Sequence, residues 1–495
     1  MKTELKHTIT VLPKHCTVTA YDGETLLDAL ARGGVFIPAA CAGNGTCGKC
    51  KVKLAYGNVG DEEPDENGYI LSCHAKVTED ISILVSKENI VQSTKKTQHA
   101  PESLAVALDI GTTTLAAALI DLDTNSTLSE CSCLNPQGIY GADVLTRITA
   151  AKGGKLELLQ KLIIDKTREI ITTLSENRAV KKLIVSANTT MLHLFLGVNP
   201  ENIGVYPFTP VFTNTETRSG KELSLPAEKV CLLSSAGAYI GSDVTAGVLL
   251  TRLHEEKESA LLIDVGTNGE IVLSKSGKLY ASSTAAGPAL EGASIECGVG
   301  GISGAINSVK YESGDITFTT IEGKEPVGIC GSGLIDAIAI LVESGIIDET
   351  GALCIDADTP LIKRLKDERF YISESVYISG RDVRQFQLAK SAISAGVEAL
   401  LTEKGLSLSE VKKVYIAGGL GSFMNIENAA RVGLLPLEFK EKTHIVGNTS
   451  LNGAILASCD ESAISEIENI AERIELVELS FSEVFRDKYM ERMYF

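Results

Sequence analysis

Polar and apolar residues alternate in HTITVL (7–12) and CTVTAY (16–21), the two-residue period of strands with one buried face. The next stretch, DGETLLDALARGG, changes to helical spacing, with Asp22 near its start and a glycine pair at its end. Further along, AVALDIGTTTL (105–115) and ALLIDVGTNGE (260–270) share one plan. An apolar strand reaches an Asp, and a Gly-Thr turn then leads into a second strand. VYIAGGLGSF (414–423) predicts a buried strand running into a glycine-rich loop. SSAGAYIGSDVTAGVLLTRL and GNTSLNGAILAS read as helices with small residues at close spacing, as helices need where they cross tightly.

Composition bounds the function. A chain of 495 residues allows two to four domains, and 44% hydrophobic with 22% charged residues is an ordinary soluble balance. The 64 acidic and 46 basic residues give a net charge of −18, which disfavours nucleic acid or an anionic membrane as partner. The N-terminal MKTELKHTITVLPKH has no apolar h-region, so no signal peptide is expected. The most apolar run, LAVALDIGTTTLAAALIDL, carries Asp109 and a Gly-Thr turn in its middle and does not read as a membrane span. Twelve cysteines without a secretory signal suggest a reducing compartment, and a cytoplasmic location is expected.

Three of those cysteines, Cys41, Cys47 and Cys50, fall in CAGNGTCGKC, and Cys73 follows in LSCHAKV. Four thiolates complete a 2Fe–2S site. The filler residues Ala39, Ala40, Ala42, Gly43, Gly45 and Gly48 are small, so backbone N–H groups can approach the sulfides. A zinc site is the competing reading, but zinc usually takes paired C-x2-C knuckles and only one such pair exists here. Cys131 and Cys133 lack companion ligands nearby and read as structural; Cys297 and Cys330 read as buried thiols, and His74 as a surface residue. The cysteine pattern resembles plant-type and vertebrate-type ferredoxins, and the five-residue first gap is closer to the vertebrate type. The resemblance implies a β-grasp 2Fe–2S domain over residues 1–88. The polar stretch NIVQSTKKTQHAPES (89–103) reads as a flexible linker.

The two Asp-Gly-Thr turns, about 155 residues apart, form a weak internal repeat over residues 104–495. Their small residues let backbone N–H groups and hydroxyls reach phosphate oxygens. Asp109 and Asp264 would face Mg²⁺ and its waters, with Gly111, Thr112, Thr113, Gly266, Thr267 and Asn268 on the phosphate side. Gly418, Gly419 and Gly421 would shape a nucleoside loop. Plain hairpin turns with local hydroxyl bonds are the bland alternative.

These elements, in this order, resemble the actin, sugar kinase and heat-shock chaperone ATPase superfamily. That implies two α/β lobes closing on Mg-ATP. NPQGIYGADVLTRI (135–148), SANTTMLHLFLGVNP (186–200), TAAGPALEGASIECGVGGISGAI (284–306), CGSGLIDAIAILVESGIIDETG (330–351) and GRDVRQFQLAKSAISAGVEALL (380–401) narrow the likeness. They resemble the reductive activators of corrinoid proteins. The implied activity is ATP-driven transfer of one electron from a 2Fe–2S cluster to a partner's cob(II)amide, giving cob(I)amide in a methyltransferase system. The implied partners are that corrinoid protein and an upstream donor such as a ferredoxin, flavodoxin or reductase. Longer members insert a further small domain after the linker, whereas here the linker enters LAVALDIG directly. Two other readings stay open: a small-molecule kinase fused to a ferredoxin, and a redox-sensing ATP-binding module. The loop GPALEGASIECGVGG, with Ser294, reads either as an ordinary lobe loop or as a cover for a partner's macrocycle. The terminal RDKYMERMYF reads as a docking tail or an edge element.

Overall fold

The alternating stretches pair as expected. β1 (Lys6–Leu12) and β2 (Cys16–Tyr21) form an antiparallel hairpin with one buried face. The computed structural model describes residues 5–12, 16–35, 37, 39, 50–60, 62–65, 67–85, 102–419 and 424–495, and the backbone of 91–94. α1 (Leu26–Arg32) buries Leu26, Leu27 and Leu30. Its cap is Thr25, three residues after Asp22: the Thr25 hydroxyl accepts from Asp28 N–H at 3.1 Å and donates to the Asp28 carboxylate at 2.8 Å. Thr25 has the extended conformation that an N-cap requires, while Asp22 lies in the preceding turn and bonds His7 at 2.9 Å. β3 (Lys51–Tyr56), β4 (Tyr69–Leu71) and β5 (Ile81–Leu84) complete a sheet of order β2-β1-β5-β3-β4, with β1 and β5 parallel. This is the expected β-grasp. Beyond it, β6 (Val91–Thr94) is a strand within the stretch read as a flexible linker.

The first lobe is built from β7 (Leu104–Ile110), β8 (Thr114–Asp121) and β9 (Ser126–Leu134), an antiparallel meander. α2 (Val144–Ala150) and α3 (Leu156–Ser175) lead to β10 (Lys182–Ala187), which returns parallel to β7. α4 (Thr189–Leu196), β11 (Glu216–Ser219) and β12 (Lys229–Leu232) follow, giving the order β11-β12-β10-β7-β8-β9-β6. β6 pairs with β9 from Val91↔Ser132 to Thr94↔Ser129, so this part of the supposed linker is a sheet edge. Its hydrogen bonding to an open strand outweighs its polar composition.

α5 (Ser242–Thr251) crosses to the second lobe, where the plan repeats. β13 (Ala260–Val265), β14 (Gly269–Lys275) and β15 (Lys278–Thr284) form a second antiparallel meander. A side sheet of β16 (Ala305–Glu312), β17 (Asp315–Thr320) and β18 (Gly328–Ile329) precedes α6 (Gly331–Glu343). A small sheet of β19 (Leu365–Lys366), β20 (Arg369–Tyr371) and β21 (Tyr377–Ser379) precedes α7 (Gly380–Glu403). β22 (Lys413–Ala417) then pairs parallel to β13, as β10 does to β7. α8 (Ile426–Arg431), β23 (Thr443–Gly447), α9 (Thr449–Cys459), α10 (Glu461–Arg473), β24 (Ile474–Leu476) and α11 (Glu483–Glu491) close the chain.

α5 and α9 cross where the small residues predicted it. A Cβ on Gly247 would fall 2.8 Å from Thr449 Oγ1, and one on Gly453 would fall 2.6 Å from Ala246 Cβ. Around this crossing, Ala105, Ala107, Ala246, Leu262 and Ala454 join one buried cluster drawn from both lobes. The terminal segment docks on its own chain: Gln387 donates to the Met493 carbonyl at 2.7 Å, and Lys390 to those of Arg492 and Tyr494 at 2.8 and 2.6 Å. The β-grasp domain meets the first lobe at Asp28, which accepts from the Tyr140 hydroxyl at 3.4 Å, with Lys155 4.2 Å above the Tyr140 ring.

Candidate functional site

Asp109 and Asp264 occupy the same place in the two meanders, one residue before the end of β7 and of β13. Asp109 lies in register with Ser186 of β10, and Asp264 with Ala417 of β22. The first turn and the loop after β22 need their glycines. A Cβ on Gly111 would fall 2.7 Å from the Thr114 carbonyl oxygen. Gly418 has φ +99°, and its Cβ would meet Asp264 Oδ1 at 2.8 Å and the Val265 carbonyl at 2.6 Å. The turns face each other across a cleft of about 310 Å³. Asp109, Gly111, Thr112, Thr113, Asp264, Gly266, Thr267, Asn268, Gly418 and Gly419 all line it. Gly421, also expected there, lies outside the described residues.

The cleft holds further groups that the sequence reading passed over. Asp243 enters from the start of α5, Glu270 stands opposite Asp264 on β14, and Glu291 reaches in from the loop after β15. Asp243 and Glu270 lay in stretches read only for their small residues or turn. From α9, Asn448 donates to Asp109 Oδ2 at 2.8 Å and Ser450 to Oδ1 at 2.7 Å. Behind the first turn, Asn135 donates its side-chain amide to the Gly111 carbonyl and its N–H to that of Thr113, both at 2.8 Å. The buried Arg147 guanidinium donates to the carbonyls of Thr112 and, at 3.0 Å, Gly141. This explains why NPQGIYGADVLTRI carries a polar pattern inside a core element.

Burial raises the Asp109 carboxyl above the usual range, partly offset by the Ser450 and Asn448 bonds. Burial and the charges of Asp243, Asp109 and Glu291 push Asp264 up to about 8. Asp243 and Glu270 are raised chiefly by burial as well. None of the described residues lining the cleft is a lysine or arginine. A set of desolvated carboxylates beside hydroxyl- and glycine-lined turns fits a divalent cation carrying phosphate oxygens, which would reverse those shifts.

In the β-grasp domain, Cys50 and Cys73 converge with their sulfurs 3.2 Å apart, both buried. That is close enough for both to ligate one metal centre, so the described residues fit the cluster; Cys41 and Cys47 lie outside them. Cys131 is buried in β9, and burial pushes its thiol up to about 12, which makes it a poor ligand. Cys330 is buried as expected, but Cys297 is only partly buried, packed against the edge of the second lobe's core. His74 is exposed, and Ser294 is partly buried in the Glu291 loop.

Comparison with known proteins identifies the domains. Residues 9–78 match the family of 2Fe-2S iron-sulfur cluster binding domains, 104–256 the RACo middle region, and 258–495 the C-terminal ASKHA domain of RACo. The corrinoid activation enzyme RamQ of Eubacterium limosum is 33% identical over 428 residues, covering 80% of this chain and 72% of that protein. The chain belongs to the family of reductive activators of corrinoid proteins. A second member, the Co(II) methylated amine-specific corrinoid protein reductase of Methanosarcina barkeri, is 26% identical over 430 residues, covering 78% of this chain and 76% of that protein. The solved reductive activator for corrinoid, iron-sulfur protein superposes with a TM-score of 0.75 at 26% identity, covering 99% of this chain and 98% of the other. The activator thus pairs a 2Fe–2S domain with an actin-like nucleotide-binding body, as the sequence led us to expect. No helix among the described residues is long and apolar enough to cross a membrane.

Proposed function

We propose that this activator uses Mg-ATP to drive one electron from a 2Fe–2S cluster onto the cob(II) corrinoid of a partner protein in a methyltransferase system, restoring the methyl-accepting cob(I) state. The observation that carries the ATP half is the cleft itself: raised, clustered carboxylates at Asp109, Asp243 and Asp264 beside two hydroxyl-bearing turns. Asp109 and Asp264 would hold Mg²⁺ and its waters. Thr112, Thr113, Thr267 and Asn268, with Gly111 and Gly266, would bind phosphate oxygens, and Gly418, Gly419 and Gly421 would shape the nucleoside loop. Cys41, Cys47, Cys50 and Cys73 would ligate the cluster, whose chemistry is the transfer of one electron at a time.

Energetics explains why the two halves share a chain. Plant-type clusters lie near roughly −400 mV. If the corrinoid couple lies lower, each ~59 mV of deficit costs about 1.4 kcal/mol for one electron. ATP can offset this only by binding two states of the assembly differently. A low-potential ferredoxin, a flavodoxin or a reductase would reload the cluster, and the location would be cytoplasmic. The decisive experiment mixes reduced protein, Mg-ATP and a cob(II) corrinoid protein and follows cob(I) optically. Formation of cob(I) only with ATP supports the reading; a phosphorylated small molecule as product would replace it with a kinase.

A further inference from the structure

Glu291 occupies an unusual position. It sits in the turn after β15, where Ala289 and Leu290 are buried in the second lobe's core. Its carboxylate extends to both Gly-Thr turns. Oε1 accepts from the Thr267 N–H at 2.8 Å, and Oε2 accepts from the Thr267 hydroxyl at 2.8 Å and from the Thr113 hydroxyl. The two threonine hydroxyls are themselves only 3.5 Å apart. Gly266 completes the fit, since a Cβ there would lie 3.1 Å from Glu291 Oε1. An anion tethered to the second lobe thus takes the donors that the two turns direct at each other, and it joins the lobes through Thr113.

A carboxylate and a phosphate make the same demands on such donors, and two anions cannot share them in a site poor in cations. We propose that Glu291 is a specificity-determining residue: it holds the terminal-phosphate position when the cleft is empty or contains a nucleoside diphosphate, and only a nucleoside triphosphate displaces it. This rests on the reading of the cleft as an ATP site. A diphosphate lacks the group that competes for Thr113 and Thr267, so it leaves Glu291 in place. A triphosphate expels the side chain and releases its turn, which is short and pivots at Gly287 (φ +78°) and Gly292 (φ +81°). The same loop runs on to Glu296, whose N–H donates to Asp382 at the start of α7 at 2.7 Å, and returns to the cleft wall at Val299, whose N–H bonds the Ile329 carbonyl at 3.0 Å. Displacement is therefore transmitted away from the cleft only if a triphosphate is bound.

The test is equilibrium binding of Mg-ATP and Mg-ADP to the full chain by calorimetry, with hydrogen exchange followed over residues 286–301. Glu291→Gln keeps the shape and removes the charge; Glu291→Asp keeps the charge but is one methylene too short to reach both turns. Each is expected to bind ATP about tenfold more tightly than the parent while ADP binding changes by less than about twofold. In the parent chain, ATP but not ADP is expected to raise exchange in the loop, and both variants should show that raised exchange without nucleotide. Weaker binding of ATP by Glu291→Gln, or a loop indifferent to ATP, overturns the proposal. If the parent binds both nucleotides and neither variant shifts their ratio, this inference alone falls. If the parent binds neither nucleotide, the ATP reading of the cleft falls and takes it along.

Discussion

Asn448 and Asp109 lie 2.8 Å apart across the two lobes, 339 residues distant in sequence. With Ser450 at 2.7 Å, the N-terminal turn of α9 fixes both oxygens of one cleft carboxylate. Asp264, at the matching position of the other lobe, receives no side-chain donor from the described residues, and its neighbours are other carboxylates. The repeat is symmetric in backbone and asymmetric in chemistry. Asp109 has both oxygens held by side-chain donors, whereas Asp264 stands among buried acidic neighbours that raise its carboxyl.

Asp264→Asn keeps size and removes charge. Loss of one transition-state interaction commonly costs ~3–4 kcal/mol, so ATP hydrolysis is expected to fall about 10²–10³-fold. The visible spectrum of the cluster should be unchanged, because Cys50 and Cys73, two of the four proposed ligands, lie in the β-grasp domain. Unaltered multiple-turnover corrinoid reduction with hydrolysis abolished and nucleotide binding lost would show that the large domain does not power the electron.

The raised Asp264 carboxyl also predicts a pH dependence. Its folded pKa, about 8, exceeds the ordinary carboxylate value, so the folded state holds the proton more tightly than the unfolded chain. That contribution to stability is full below pH ~4 and is lost as pH rises towards 8. Metal-free protein should therefore melt lower at pH 8.5 than at pH 6, and Mg²⁺ should raise the melting temperature more at pH 8.5, by about 2 °C or more. Asp264→Asn should flatten the metal-free profile. A Mg²⁺ effect that is larger at pH 6 would contradict the carboxylate cluster as the metal site.

Much of this architecture was legible in the chain. Period-two alternation gave β1 and β2, and the repeated Asp-x-Gly-Thr gave the two turns, because local backbone demands leave a local trace. Asp243, Glu270 and Glu291 were not legible as a set, since single acidic residues carry no spacing signal until the lobes close around them. Asn448 and Arg147 act on backbone and side chains far away in sequence, and only the fold brings those groups together. The start of α1 was legible only to within a few residues: Asp22 lies in the preceding turn, and Thr25 caps the helix.

The thiol assignments are separable by substitution. Cys73→Ser should abolish the brown colour and the content of about two irons per chain. A joint Cys131→Ser and Cys133→Ser change should leave the spectrum intact, since the Cys131 thiol is held protonated within β9. Loss of colour in the latter variant would overturn the ligand set.

The α5–α9 crossing admits a steric test. Gly453→Val would drive side-chain atoms into Ala246, already 2.6 Å from an added Cβ. Overpacking of this kind costs roughly 1–3 kcal/mol. Because α9 also carries Asn448 and Ser450 to Asp109, nucleotide affinity should fall along with the melting temperature. A fall in melting temperature with intact nucleotide affinity would separate the crossing from the cleft.

The edge strand β6 sets the length of the leash on the redox domain. With Val91–Thr94 zipped to β9, only residues 86–90 join Val85 to the lobe, and six virtual bonds reach at most about 20 Å. The domain therefore stays beside one lobe, where Asp28 meets Tyr140, and its encounters with anything docked there are first-order and insensitive to dilution. Four paired residues thus set how far the redox domain can reach.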